Sequence, residues 1–381
     1  MPRWDINFDY NMDIDRDIIE ASVKAEAHRQ ITSRIPIPPN FAKELDQLNI
    51  IRQIKGTTGL EGNPLTEEDV RRVIEEAETQ KESGDYVRES PELSLYDREV
   101  KNAYEVQLFI RRLVSDTGGS PFVTEDLIRK LHYLSTKDIP SQINIPGQYR
   151  TSQVSAGDYL PPEHSEIPGL MVKFIDLVND RKLIEGFGPL LRALVAHFYL
   201  ISIHPFGDGN GRASRALEAY ILYQAKFNAR GFYSLANFFY RNRERYVEEL
   251  QDARFKYDAD LTHFAKFALG GLVQEIDDIQ DRILFFVRTT MFLSYVNELY
   301  SKNTINMRCA ALLEFLVKYR GSITIQQLRD KKDPIIRALY DRIKTHKTIQ
   351  RDIDTMVKEG VLIVKDGVLI PNVFIMEQFE G

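Results

Sequence analysis

Between His204 and Arg215 the chain reads HPFGDGNGRASR, and the residue types in that stretch suit phosphate chemistry. Gly207, Gly209 and Gly211 can take positive φ at low cost, so successive backbone N–H groups can converge on an anion. Helical pattern resumes at about Gly211, which puts a helix N-terminus, with its free donors and positive potential, at the same place. Arg212 and Arg215 stand three apart on that helix and share a face, within reach of a polyphosphate laid across the loop. Asp208 offers a hard oxygen to magnesium carried in with a nucleotide phosphate. His204 supplies the group here that exchanges a proton near neutral pH. Together they suggest phosphate transfer from a nucleoside triphosphate, with His204 activating an incoming hydroxyl. Spacing excludes the competing motifs. A P-loop needs four residues between its glycines and then Lys, whereas Gly207 and Gly211 enclose three and Arg212 follows. The dinucleotide fingerprint fails because the run is GxGxG with no strand before it, and a calcium loop needs an acid or amide where Arg212 stands.

The elements that must position this stretch read as helices. GPLLRALVAHFYLISI is apolar on nearly every side, the mark of a buried helix, and runs directly into His204. RASRALEAYILYQAKFNA follows as a second buried helix. His197, inside the first, reads as a satisfied core histidine. Upstream, NFAKELDQLNIIRQIKGTTGLEGNPLT is an amphipathic helix whose pattern breaks at Gly59, Gly62 and Pro64. TEEDVRRVIEEAETQK follows as a capped helix with acid in its first turn. Residues 143–168 differ: Pro and Gly flank the alternating YRTSQV, which predicts a hairpin or flap. Trp4 is expected to anchor the N-terminal arm in a groove.

Composition bounds the rest. With 381 residues and 43% hydrophobic content, two or three domains can bury a core without disulfides. The 50 Lys+Arg against 56 Asp+Glu, net charge -6, argue against a chain that is basic throughout and binds nucleic acid by bulk charge. The one cysteine, Cys309, favours a reducing compartment. MPRWDINFDY lacks a leader pattern and no apolar run reaches the roughly 18 residues of a membrane span, so a cytoplasmic protein is expected. The histidines show no zinc spacing.

HxFx[DE]GNGRxxR is the signature of Fic-domain proteins, and His204, Phe206, Asp208, Gly209, Asn210, Gly211, Arg212 and Arg215 match every defined position. The resemblance implies an all-α, Fic-type helical core with a short β-hairpin flap. It also implies transfer of a nucleoside monophosphate, most often AMP from ATP, to a Ser, Thr or Tyr hydroxyl of a target protein. By it, His204 is the general base and Phe206 a core anchor. Asp208 holds Mg, Asn210 and the neighbouring amides of Gly207, Gly209 and Gly211 hold phosphates, Arg212 engages the β-phosphate and Arg215 the γ-phosphate. GQYRTSQV resembles the flap that aligns a target segment as an added strand, through Gly147, Tyr149, Arg150 and Thr151. NFFYRNRERYVEEL resembles the stretch bordering the base, with Asn237 and Tyr246 as contacts. TTGLEG resembles the inhibitory motif [ST]xxxE[GN], in which Glu61 pairs with Arg215 and takes the γ-phosphate's place.

From Ile305 onward, three helices (ALLEFLVKYR, ITIQQLRD, KTIQRDIDTMVKEG) precede VLIVK and GVLIPN, joined through Asp366-Gly367. That order resembles a winged helix-turn-helix with Thr345–Glu359 as its recognition-type helix. Arg342, Lys344, Lys347 and Arg351 make its leading end basic, while Asp352, Asp354 and Glu359 weaken that charge. The expected organisation is an N-terminal inhibitory region over 1–95, a catalytic core over 96–300 and a winged helix over 301–381. The expected partners are ATP, a target protein, DNA or protein at the winged helix, and a second copy in a homodimer, with no membrane. Open alternatives are a DNA-binding regulator whose core senses nucleotide, a module that binds ATP without turnover, and transfer of UMP, phosphocholine or phosphate.

Overall fold

The computed structural model describes residues 1–83, 93–117, 122–186, 188–227, 235–343 and 345–377, in two compact units, Met1–Ile279 and Gln280–Gly381.

The first unit is helical. Asp15 accepts hydrogen bonds from the N–H groups of Asp17 and Ile18 and so caps α1 (Arg16–Arg34), a helix the sequence reading passed over. Pro39 opens α2 (Pro39–Leu60), whose Ile50, Ile51 and Ile54 meet Val70 and Val73 of α3 (Glu67–Ser83) and Val100 of α4 (Leu95–Thr117). Each such buried side chain contributes about 1.5–3 kcal/mol, so α2 is held by its apolar face. Its glycines lie inside the helix, where they let a neighbour approach. After α5 (Glu125–Thr136), α6 (Ile167–Val178), α7 (Arg181–Gly186), α8 (Gly188–Ile203) and α9 (Asn210–Gln224) comes α10 (Leu235–Arg241). A Cβ on Gly56 would stand 2.5 Å from the Ala236 backbone of α10, and one on Gly59 2.5 Å from the Tyr240 ring. The expected break at Gly59 therefore moves to Gly62, which takes φ +94° while Asn63 N–H closes onto Thr58 O at 3.1 Å.

Helices α8 and α9 pack along one another at the centre, with Leu194, Phe198 and Ile203 of α8 and Leu217 and Ile221 of α9 buried. The unit continues through α11 (Arg243–Phe255) into α12 (Thr262–Ser301), within which the division between the units falls. Trp4 is buried against Phe198 and Tyr199 and donates its indole N–H to Asp258 at 3.1 Å, as expected for an anchor.

The hairpin expected within 143–168 is instead an irregular loop. It holds one isolated antiparallel bridge, Ala156 with Tyr159, while Leu160 pairs with Arg3. Pro146, Pro161 and Pro162 remove ladder donors. Side chains tie its limbs: Gln153 donates to Pro161 O at 2.8 Å and Arg150 to Pro162 O at 2.5 Å.

In the second unit α13 (Met307–Phe315) leads to β1 (Ile323–Thr324), α14 (Ile325–Asp330), α15 (Pro334–Tyr340), α16 (His346–Lys358), β2 (Leu362–Lys365) and β3 (Val368–Pro371). The sheet is antiparallel in the order β1-β3-β2, and Val364 pairs with Leu369. Asp366 and Gly367 take φ +51° and +74°, the left-handed pair that a two-residue hairpin turn requires. Leu312, Leu328, Tyr340, Ile353, Met356 and Leu369 form part of its core. The short, proline-led α15 was not anticipated, and Lys344 lies outside the described residues. Among the described residues no helix is long and apolar enough to cross a membrane.

Candidate active site

His204 follows the last turn of α8 in the left-handed region, φ +52°, an uncommon backbone for a residue with a side chain. Its Nδ1 donates to Ile201 O at 3.1 Å, which fixes the tautomer and leaves the Nε2 lone pair free. Burial pushes the imidazole down to about 4, against the Ile201 carbonyl and with help from Arg254 and Arg150. At neutral pH His204 is therefore an uncharged base. Arg150 supports it from below, donating from Nε to His204 O at 2.9 Å and from its backbone N–H to Pro205 O at 2.9 Å.

The loop after His204 is closed by Asn210, whose side-chain amide bonds both the N–H and the C=O of Phe206 at 2.9 Å. Phe206 is buried and stacks on His132, ring centres 3.6 Å apart and planes 2° from parallel. Of the three glycines only Gly209 uses positive φ, +78°. Gly207 is required by contact instead, since a Cβ there would lie 1.9 Å from Ile143 O. Asp208 N–H donates to Asn144 Oδ1 and Gly209 N–H to Asp208 Oδ1, at 3.2 and 2.6 Å. That leaves the first-turn N–H groups of Asn210, Gly211 and Arg212, which have no intrahelical acceptor, as the donors for an anion.

The sequence says of His132 only that it lacks zinc spacing. It accepts from Gly147 N–H at Nδ1, 2.9 Å, and so donates from Nε2 to Asp208 O, 2.8 Å, joining the irregular loop to the glycine loop. Burial pushes it down to about 4, with the Asp208 carbonyl opposing. Only a LH pair in α5 marks it, and that is indistinguishable from any core histidine.

Arg215 is buried and meets the end of α2 at three points. Its Nη2 lies 2.6 Å from Glu61 Oε1 and 3.1 Å from Thr57 O, and its Nε donates to Thr57 Oγ1 at 2.9 Å. Burial works to raise the Glu61 carboxyl, but Arg215 first and Arg212 second outweigh it and hold the group below the usual carboxylate range. The Glu61 side chain keeps 28% exposure, so water still reaches it. A Cβ on Gly211 would stand 2.6 Å from Glu61 Oε1, which makes this glycine the space for the carboxylate. Arg212 pairs with Asp208 at 3.0 Å and faces Glu99 at 3.7 Å. Glu99, which burial pushes up, accepts from Asn63 Nδ2 at 2.9 Å and so ties the turn after α2 to the same cluster.

His204, Asp208, Asn210, Gly211, Arg212, Arg215 and Glu61 thus converge. The expected base contacts, Asn237 and Tyr246, are engaged by protein groups. Asn237 is buried and donates to Glu275, both oxygens at 3.1 Å, where Arg241 also pairs. Tyr246 is buried against Phe239, its hydroxyl 2.8 Å from His197 Nε2, so it approaches Arg215 from the core. In the expected docking segment Tyr149 packs on Phe206 and under Arg129, and Arg150 is buried, while Thr151 is exposed. His197 is satisfied on both nitrogens, as expected.

The family model described as Fic/DOC matches residues 122–222, the span that holds the loop and both arginines. This stretch is a Fic/DOC domain. Over 160 residues the chain is 31% identical to Protein adenylyltransferase Fic of Aedes aegypti, covering 42% of this chain and 28% of that protein. Over 133 residues it is 32% identical to the Nematostella vectensis protein of the same name, covering 34% and 28%. The chain thus spans under a third of the length of these curated relatives. A crystal structure of a Fic family protein from Desulfovibrio desulfuricans G20 shares the fold, with TM-score 0.54 and 19% identity over 95% of this chain and 98% of that one. Fic-1 from C. elegans aligns at TM-score 0.53 and 20% identity, over 72% and 73%.

Proposed function

We propose that the Fic domain transfers AMP from ATP to a Ser, Thr or Tyr hydroxyl of a target protein or of the chain itself, and that Glu61 holds the reaction off. The observation that carries this reading is the 2.6 Å pair between Glu61 and Arg215 beside an uncharged His204 with a free Nε2. The relatives named protein adenylyltransferase support the choice of AMP.

In this reading His204 Nε2 takes the proton of the target hydroxyl as its oxygen bonds the α-phosphorus. The bond from that phosphorus to the bridging oxygen breaks, and pyrophosphate leaves with the electron pair. The N–H groups of Gly211 and Arg212 receive phosphate oxygens, the Arg212 side chain the β-phosphate and Arg215 the γ-phosphate. Asp208 fits a magnesium ion that arrives with the nucleotide: its carboxylate is 48% exposed, and among the described residues no group of three acids or histidines forms a protein cage. Bound there, the ion would neutralise phosphate charge. Glu61 occupies the γ-phosphate's partner, so ATP would sit with its α-phosphate displaced from the attacking oxygen, a misplacement that costs about a hundredfold. Thr151 and its exposed neighbours Ser152 and Gln153 offer one stretch of the loop to a target strand.

Label transfer from ATP by purified wild type, Glu61→Gly and His204→Ala tests the assignment. Activity should rise in the first variant and vanish in the second; equal activity of wild type and Glu61→Gly would remove the brake. Offering ATP, GTP, UTP and CTP and weighing the product identifies the group transferred.

We read residues 1–95 as the inhibitory region, 96–300 as the catalytic core and 301–381 as a winged helix with α16 as its recognition-type helix. One observation favours a DNA contact there. Asp352, which the sequence counts against a basic surface, is buried and bonded to Asn306 and Arg308, so its charge is neutralised inside the unit. Duplex binding that weakens steeply with salt is the expected result; none would leave this unit as a protein contact.

A further inference from the structure

Besides the end of α2, Arg215 meets a chain of three side chains from three helices. Tyr246 of α11 faces the guanidinium with its oxygen. Its hydroxyl stands 2.8 Å from His197 Nε2 of α8, and His197 Nδ1 stands 2.6 Å from Glu218 Oε2 of α9. Hydrogen-bond chemistry sets the direction at the carboxylate. A carboxylate only accepts, so Nδ1 carries the proton. Nε2 then meets the tyrosine hydroxyl, whose oxygen faces the cation. Exposure is 0% at His197, 3% at Glu218, 4% at Tyr246 and 5% at Arg215, and Phe239 stacks on the Tyr246 ring at 4.5 Å.

We propose that Glu218, His197 and Tyr246 are positioning residues for Arg215, a relay that keeps its guanidinium aimed at the terminal phosphate once Glu61 has left. The proposal rests on the reading of Arg215 as the γ-phosphate arginine. Thr57 sits on α2 and Glu61 caps its C-terminus, so undocking that helix removes all three bonds they give Arg215 at once. A buried cation stripped of its partners is strongly destabilising and turns toward whatever anion or water it can find. Glu218 does not leave with α2. Although it lies one turn along α9 from Arg215, its carboxylate bonds His197, and its charge reaches the arginine through oriented dipoles that also lock α8, α9 and α11 together. The brake and the relay thus hold one guanidinium from different helices, and only the brake leaves with α2.

The test is ATP affinity by calorimetry, and KM and kcat for label transfer, in the Glu61→Gly background. Adding Tyr246→Phe or Glu218→Gln should weaken ATP binding and raise KM about tenfold, the scale of one charge-assisted hydrogen bond, with kcat within about twofold. Glu218→Asp should recover most of the loss. In Glu61→Gly/Arg215→Ala the same additions should change nothing further, because they act through the arginine. An unchanged ATP affinity, or an equal further loss without Arg215, overturns the relay. Should Tyr246→Phe fail to fold, the Glu218→Gln and Glu218→Asp pair decides. If Arg215→Ala itself leaves ATP affinity intact, the γ-phosphate reading fails instead.

Discussion

Glu61 Oε1 lies 2.6 Å from Arg215 Nη2 and occupies the space that the absent side chain of Gly211 leaves open. Both contacts disappear in Glu61→Gly. The variant is expected to label targets about a hundredfold faster than wild type and to melt at lower temperature, because a buried arginine loses a charged partner worth about 1.5–3 kcal/mol. ATP should restore part of that stability. Thermal melts with and without nucleotide, beside the label-transfer rate, check both halves.

The same release should follow with Glu61 intact if α2 cannot dock. A side chain at position 56 must displace the Ala236 backbone, 2.5 Å from its Cβ. Gly56→Leu is therefore expected to raise label transfer while Glu61→Gly/Gly56→Leu gains nothing more. A folded, inactive Gly56→Leu would separate docking from inhibition.

Arg150 predicts a different kinetic signature. It holds the carbonyl of His204, a residue kept at φ +52°, and bonds Pro162 O at 2.5 Å. In the Glu61→Gly background Arg150→Ala should lower kcat at least about tenfold with the KM for ATP little changed, because the base shifts and the phosphate donors stay. Arg150→Lys should not rescue, since one ammonium cannot span the acceptors that the planar fork reaches.

Acid should destabilise the fold earlier than carboxylates alone would. His132 and His204 are held near 4, below the ordinary 6.5 that they regain on unfolding. Between those values the unfolded chain binds more protons, so stability falls as pH drops through that window. The fully buried His132 alone should account for about 2 kcal/mol between pH 7 and pH 5. Denaturant titrations at the two pH values should show that slope, and His132→Gln should flatten it by that amount.

The chemistry at residues 204–215 was legible because it is local: a histidine, an acid and two arginines spaced by glycines hold their meaning within one loop and one helix turn. At two of its three glycines positive φ is not what the backbone uses. Gly207 and Gly211 are required by Ile143 and Glu61, partners remote in the chain and invisible to a reading of φ preference. Gly59 misled in the same way, since Tyr240 and not a turn demands it. YRTSQV alternates like a strand, but the prolines on either side of it deny it a ladder, and the arginine that suggests docking is buried in bonds to distant carbonyls. The Asp366-Gly367 turn was readable because its backbone requirement is carried by those two residues alone. Tyr246 and His197 are 49 positions apart, and nothing in either segment announces the other.

Glu61 reaches Arg215 on its own polypeptide, from a helix end secured by Thr57 and by Asn63 on Glu99. Docking of the brake is therefore unimolecular, set by an effective concentration that dilution does not alter. Metabolite levels alone then make a poor throttle for this centre. A partner that grips α2 would act as a clutch, since lifting one helix withdraws the rival carboxylate however much nucleotide the surroundings hold.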